Sequence, residues 1–300
     1  MINEKRTTQL RELLERPGVI VAPCAYDCLS LRIIERAGFK AALHGGYNTA
    51  ASFLGMPDIG MLTATEMVSY ARNMAAAVNL PVICDMDDGF GDFFNVLRTT
   101  REVIQAGLAG MYIEDQVSPK RSPSLGGGDV IPVEAMTRKL KAVAKVRSEM
   151  DPDFVVIART HASRAIGLEA GVKRGIAYAQ AGADIIFVDP GYTEETVDEL
   201  KIVAQNIGPY AHVLANMTET AGRPLLTSDE LYHMGFKVVI YPMTALMAAA
   251  KAVTRVMKEL QDKGTTKSLV DELMPLQEVA QLTGMENVRT LEREFNEQTF

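Results

Sequence analysis

Val82-Ile83-Cys84-Asp85-Met86-Asp87-Asp88-Gly89-Phe90-Gly91 leads from a short apolar run straight into acids and glycines. An apolar run of this length, closed by turn residues, fits a parallel strand buried on both faces. The acids at its end are side chains that a packed core would not choose. Working outward, similar runs recur at Val19–Pro23, Ala41–His44, Gly110–Glu114, Val155–Arg159, Ile185–Asp189, His212–Asn216 and Val238–Tyr241. Amphipathic stretches lie between them: Ser30–Ala37, Ala64–Val78, Phe94–Ala106, Val133–Met150, Leu168–Ala181 and Glu194–Gln205. Three of these end in Ala-Gly, at Ala37-Gly38, Ala106-Gly107 and Ala181-Gly182, where glycine allows the left-handed turn that closes a helix. Eight strands alternating with helices predict an α/β fold of the (β/α)8 TIM-barrel type. An open doubly wound sheet would show a glycine-rich first turn, and the chain there reads Cys24-Ala25-Tyr26-Asp27.

The remainder of the chain predicts helices at Thr244–Lys263, Ser268–Thr283 and Asn287–Asn296. Residues 1–300 are therefore expected to form one domain, with barrel elements over 1–243 and C-terminal helices over 244–300. The Ala- and Met-rich helix at 244–263 is suited either to a subunit contact or to ordinary barrel covering.

Composition narrows the function classes. The chain of 300 residues is 47% hydrophobic and 23% charged, enough for a sizeable core. A net charge of −7 argues against nucleic acid or an anionic membrane as partner. No apolar window is long enough for a membrane span, and the charged, helix-like start (Met1–Arg16) does not read as a signal peptide. The three cysteines, Cys24, Cys28 and Cys84, have no disulfide or metal spacing and suit a reducing cytoplasm.

Barrel enzymes carry their chemistry at the C-terminal ends of strands. Here Asp85 and Asp87 follow one strand and Glu114 ends the next. Crowded carboxylates repel, so a divalent cation is their natural neutraliser, and oxygen-only ligands favour Mg²⁺, or Mn²⁺, over zinc. The alternative is that some of these acids cap a helix or pair with Lys120 or Arg121. Arg159 offers a rigid fork to a substrate carboxylate, or pairs internally with an acid. His161 suits either an acid/base role or a hydrogen-bonded supporting one. The segment Ser118–Ile131 carries Lys120, Arg121 and then Gly126-Gly127-Gly128, a pattern fitting a lid over an anionic substrate.

The chain resembles the isocitrate lyase / phosphoenolpyruvate mutase superfamily. The resemblance rests on Ala22-Pro23-Cys24-Ala25-Tyr26-Asp27, Leu54-Gly55-Met56-Pro57-Asp58, Asp85–Gly91, Tyr112-Ile113-Glu114-Asp115-Gln116, Pro119-Lys120-Arg121, Ile157-Ala158-Arg159-Thr160 and Leu214–Glu219, all in family order. It is most similar to the 2-methylisocitrate and 2,3-dimethylmalate lyase branch. The resemblance implies a barrel whose C-terminal helix is exchanged between paired subunits, usually in a homotetramer. It implies Mg²⁺ near Asp85, Asp87 and Glu114, partly through water. It also implies substrate contacts at Gly45, Gly46, Arg159 and Asn216, a functional acid at Asp58, and a gating loop starting at Lys120-Arg121.

Three positions depart from the family. Its lyases read Lys-Arg-Cys-Gly-His where this chain reads Lys120-Arg121-Ser122-Pro123-Ser124, so the acidic thiol is replaced by the far weaker acid Ser122. Ala-Arg-Thr-Asp-Ala becomes Ala158-Arg159-Thr160-His161-Ala162, and Gly45 stands where Ser or Thr is usual. The expected function is a Mg²⁺-dependent carbon–carbon lyase or decarboxylase on a small 2-hydroxy or 2-oxo dicarboxylic acid. Ser122 through water, Tyr47 or His161 would then supply the proton. The rival expectations are phosphonopyruvate hydrolysis or rearrangement, and a non-catalytic ligand-binding homologue.

Overall fold

The computed structural model describes residues 5–121, 128–190, 196–219 and 223–297. Eight parallel strands close into a barrel in sequence order: β1 Ile20–Ala25, β2 Ala42–His44, β3 Val82–Asp85, β4 Gly110–Glu114, β5 Val155–Thr160, β6 Ile185–Val188, β7 His212–Asn216 and β8 Val238–Tyr241. β8 pairs back onto β1 through Ile20↔Val238 to Pro23↔Tyr241, which closes the sheet.

Side-chain parity decides what faces the barrel axis. Ala22, Cys24, Leu43, Ile83, Tyr112, Ile157, Phe187, Leu214 and Ile240 pack together inside, and their strand neighbours Val82, Cys84, Met111, Ile113, Val156, Ala158 and Ile186 pack outward against the helices. Burying each such aliphatic side chain contributes about 1.5–3 kcal/mol. Stepping two residues beyond the last interior layer reaches Asp85, Glu114, Arg159, Asp189 and Asn216. The registers Asp85↔Tyr112 and Glu114↔Arg159 hold neighbouring strand ends level. The fold thus presents a polar ring on top of an apolar plug.

The helices are α1 Arg6–Glu15, α2 Cys28–Arg36, α3 Gly46–Thr49, α4 Ala64–Ala77, α5 Phe93–Gln105, α6 Val133–Met150, α7 Ala162–Ala165, α8 Leu168–Gln180, α9 Thr196–Ile207, α10 Ser228–Met234, α11 Thr244–Lys263, α12 Leu276–Leu282 and α13 Met285–Glu297. Local chemistry sets their starts. Asp27, Thr63 and Thr227 each form a reciprocal capping box with Ser30, Glu66 and Glu230. α1 closes the N-terminal mouth by inserting Leu10 and Leu14 beneath the interior layers.

The expected boundaries hold within two residues for most elements. One helix differs: the stretch expected as Ser268–Thr283 is a 3-10 turn, Lys267–Glu272, followed by α12. Pro275 supplies no backbone donor and starts a new helix rather than continuing the old one. α3 runs into a π-helical segment, Ala50–Leu54, and α10 follows β7; neither shows a long apolar repeat in the sequence. No described helix is long and apolar enough to cross a membrane.

Candidate active site

A cavity of about 260 Å³ opens at the C-terminal mouth. Its wall includes Gly45, Gly46, Tyr47, Asp58, Asp85, Glu114, Lys120, Arg121, Arg159 and Asn216, so most residues expected at the site converge there. Leu43, Phe187, Ile240, Pro242, Met243 and Met247 add an apolar side.

The carboxylate rim is organised by an internal cation. Lys120 is 7% exposed, and its Nζ lies 2.9 Å from Asp58 Oδ1 and 2.7 Å from Asp87 Oδ1. Burial alone would lower the lysine's affinity for its proton, but Asp87, Asp85 and Asp58 outweigh it and hold the ammonium well above its ordinary range. Burial pushes the Asp58 carboxyl up against the pull of Lys120. Burial likewise pushes Asp87 up, with Lys120 opposing and Asp85, Glu114 and Asp58 reinforcing.

Asp87 adopts φ 48°, a left-handed conformation that Asp tolerates better than most residues. Its carbonyl accepts from the Glu114 backbone N–H at 2.8 Å. Asp85 is fixed differently: Oδ2 accepts from Gly46 N at 3.0 Å and Oδ1 from Asp87 N at 3.0 Å. A side chain at position 46 would place Cβ 3.0 Å from Asp85 Oδ2 and 3.1 Å from Lys120 Nζ, so glycine is what lets the loop approach. At Gly45 an added Cβ would press on Cys24 Sγ at 3.0 Å.

These contacts select, for Asp87, the alternative that the sequence left open beside a divalent cation, namely pairing with Lys120. Among the described residues no three acids, cysteines or histidines are grouped closely enough to chelate a metal directly. What remains on the wall is an oxygen-only pair, Asp85 and Glu114, with Glu114 Oε1 buried and without a hydrogen-bond partner among the described residues. That chemistry fits a hard cation held in part indirectly.

The other oxygen of Glu114 is occupied. Oε2 lies 2.9 Å from His161 Nε2 and 3.3 Å from Arg159 Nη1. Burial would raise the Glu114 carboxyl, but His161 and Arg159 outweigh it and hold it well below the usual carboxylate range. His161 does not line the cavity and stands behind Glu114, the placement that its supporting alternative would need. Its backbone N–H donates to Asp115 Oδ1 at 2.9 Å. Asp115 also accepts from Thr160, Arg174 and Tyr178, a network that ties β4 and β5 to α8.

Arg159 is held on three sides. Nη1 faces Glu114, Nη2 reaches Asp189 Oδ2 at 3.2 Å, and the guanidinium sits 4.5 Å above the Phe187 ring. Asn216 Oδ1 accepts from Thr218 Oγ1 at 2.9 Å. Ser122 lies outside the described residues. The described residues on either side of it are pinned together: Val117 N donates to Asp129 O at 2.9 Å and Ile131 N to Asp115 O at 2.8 Å. Arg121 N donates to Gln116 Oε1 at 3.0 Å.

Tyr112, Phe187 and Asp189 were not singled out by the sequence reading. The signal existed in part, because Asp189 closes the run Ile185–Asp189 just as Glu114 closes its own.

The comparisons agree with this arrangement. The phosphoenolpyruvate phosphomutase family profile matches residues 10–261. The 2,3-dimethylmalate lyase of Eubacterium barkeri is 39% identical over 96% of this chain and 97% of its own. Among solved structures, oxaloacetate acetylhydrolase bound to 3,3-difluorooxalacetate superposes with a TM-score of 0.91 at 29% identity, covering 99% of each chain. Phosphonopyruvate hydrolase, in complex with oxalate and Mg²⁺, superposes with a TM-score of 0.88 at 28% identity, covering 98% of this chain and 100% of that one. With barrel, strand-end carboxylates and sequence in agreement, the chain belongs to the phosphoenolpyruvate mutase / isocitrate lyase superfamily, close to its 2,3-dimethylmalate and 2-methylisocitrate lyases.

Proposed function

We propose that this enzyme is a carbon–carbon lyase acting on a small 2-hydroxy or 2-oxo dicarboxylic acid. The observation that carries the reading is Arg159 fixed on the cavity wall beside the Asp85–Glu114 oxygen pair. A guanidinium suits one substrate carboxylate, and about 260 Å³ suits a small acid. Mg²⁺, or Mn²⁺, held by Asp85 and Glu114 with help from Asp87, would polarise the oxygens of such an acid when bound.

The chain's own groups then divide the work. Gly45 and Gly46 bring backbone close to the acid, Arg159 and Asn216 orient it, and the apolar side receives its carbon substituent. For a 2-hydroxy acid, the hydroxyl proton leaves and the C2–C3 bond breaks. C2–O becomes the carbonyl, and the bonding pair passes to C3 beside its carboxylate. The Asp58 carboxylate, paired with the Lys120 ammonium, would accept the hydroxyl proton. C3 is reprotonated from the Tyr47 side of the cavity, or from Ser122 through water, with Arg121 at the loop foot. His161 acts through Glu114.

The reading has three corollaries. Residues 1–300 act as one domain. The unpaired cysteines suit a cytoplasmic enzyme. No residue of α11 is buried, and Val253, Met257, Leu276 and Phe295 stand exposed, which supports exchange of these helices within a homotetramer.

The test is turnover by purified protein with Mg²⁺ of oxaloacetate and of 2- and 3-alkyl malates, followed by appearance of a 2-oxo acid, or of CO₂ or oxalate. No turnover of any of them would sink the proposal. Phosphate release from phosphonopyruvate would replace it with phosphonate chemistry.

A further inference from the structure

Asp189 follows β6 two residues beyond Phe187, the register partner of Arg159, is fully buried, and does not line the cavity. Three guanidinium groups surround it: Arg159 Nη2 at 3.2 Å, Arg164 Nη2 at 3.5 Å and Arg223 Nη2 at 3.7 Å. They come from three segments, namely β5, the short helix α7 after it, and the stretch after β7. The Arg223 side chain is 0% exposed, so water does not screen it. Burial would raise the Asp189 carboxyl, but Arg164, Arg159 and Arg223 outweigh it and keep it ionised.

The position of Arg159 depends on this balance. Glu114 pulls on Nη1 and Asp189 on Nη2, with Phe187 under the plane. Without the charge on Asp189, the three guanidinium groups would repel one another, and Glu114 would be the one acid of the pair left to hold Arg159 above Phe187. The fork would then close on Glu114 and turn from the cavity.

We infer that Asp189 is a positioning residue, which aims Arg159 at the substrate carboxylate and couples that aim to the segment after β7 through Arg223. The inference rests on the reading of Arg159 as the substrate's partner. It predicts a defect in binding rather than in bond cleavage, because Asp189 reaches no reacting atom.

The experiment compares wild type, Asp189→Asn and Asp189→Glu as full-length proteins with Mg²⁺. It measures KM and kcat on whichever acid the wild type turns over, and oxalate affinity by calorimetry. For Asp189→Asn the expected result is KM raised about tenfold or more, kcat within about threefold, and oxalate weakened in step. Asp189→Glu should recover part of the affinity. Adding Arg159→Lys to Asp189→Asn should weaken oxalate little further, because the two act as one unit. If Asp189→Asn does not fold, Arg223→Gln takes its place and should raise KM about threefold with kcat unchanged. Wild-type oxalate affinity in Asp189→Asn or, where that variant does not fold, in Arg223→Gln overturns the inference. So do additive effects with Arg159→Lys, or a fall in kcat at unchanged KM. A wild type that binds oxalate and turns over acids while these variants match it leaves the lyase reading intact; a wild type that does neither removes both.

Discussion

The two mouths of the barrel both carry buried or half-buried ion pairs, yet they treat their polar groups in opposite ways. At the N-terminal mouth, Asp184 accepts Arg11 at 2.7 Å, Arg147 at 2.8 Å and the Val156 backbone N–H at 2.8 Å. The rest of Arg11 is taken by the carbonyls of Asp153 and Phe154, while Thr7 and Thr8 donate to Asp151 and Asp153. At the C-terminal mouth, His44 Nδ1, Asn48 Oδ1, Glu114 Oε1, Arg159 Nε and Ser163 Oγ are buried with no hydrogen-bond partner among the described residues. Buried polar groups are paired where stability alone is at stake, so the difference marks the upper mouth as shaped for something it must bind. The lower mouth anchors; the upper one is held ready at a cost.

Four experiments can break or sharpen that contrast. Glu114→Gln keeps shape but loses the charge facing Arg159 and His161. Turnover should fall by roughly 10²–10³, with thermal unfolding shifted by only a few degrees. Near-normal turnover would show that the upper ions are merely structural. At the other mouth, Asp184→Ala leaves two cations without their acid. It should cost about 3 kcal/mol in urea unfolding, since the groups are partly screened, while kcat/KM of the folded fraction stays level. Lost activity in folded protein would erase the division of labour.

The third is metal removal. Mg²⁺ at about 100 times its Kd should stabilise the wild type by about 2.7 kcal/mol, and chelation should reverse this. Asp85→Asn should abolish the response; the same rise in that variant would place the cation elsewhere. The smallest effect concerns His44, which burial lowers to about 4, with Asp85 opposing. Its folded value lies below its unfolded one, near 6.5. The stability from keeping it neutral is therefore full above about pH 6.5 and is lost as pH falls toward 4. Between pH 6.5 and 5 the loss should be about 2 kcal/mol, and His44→Gln should remove that part of the slope. Superimposable pH profiles would contradict it.

Much of the fold was legible because periodicity records it. Parallel strands buried on both faces leave apolar runs, and Val82–Asp85, Gly110–Glu114, His212–Asn216 and Val238–Tyr241 were readable to the residue. The wall residues Asp85, Glu114, Arg159 and Asn216 followed from the strand-end rule or from the resemblance. What the sequence hid is pairing at a distance. Lys120 meets Asp58 across 62 positions and Arg159 meets Asp189 across 30, and no local pattern records which acid a cation will choose. The sequence reading allowed for Asp87 pairing with Lys120, but composition could not decide between that lysine and a metal. α10 was missed because seven residues hold too few turns for an apolar repeat.

The pinned feet of the 118–128 segment have a consequence for how such an enzyme can diversify. Because Val117 is bonded to Asp129 and Ile131 to Asp115 across the base, the barrel senses the distance between these feet rather than the length of sequence that joins them. Doubling the length of a flexible loop closed at fixed ends costs only about 0.6 kcal/mol. The barrel therefore sets the positions of the two feet and places little limit on the length of sequence that joins them. The sequence between the feet, Ser122 included, can be rewritten while the scaffold beneath it stays the same.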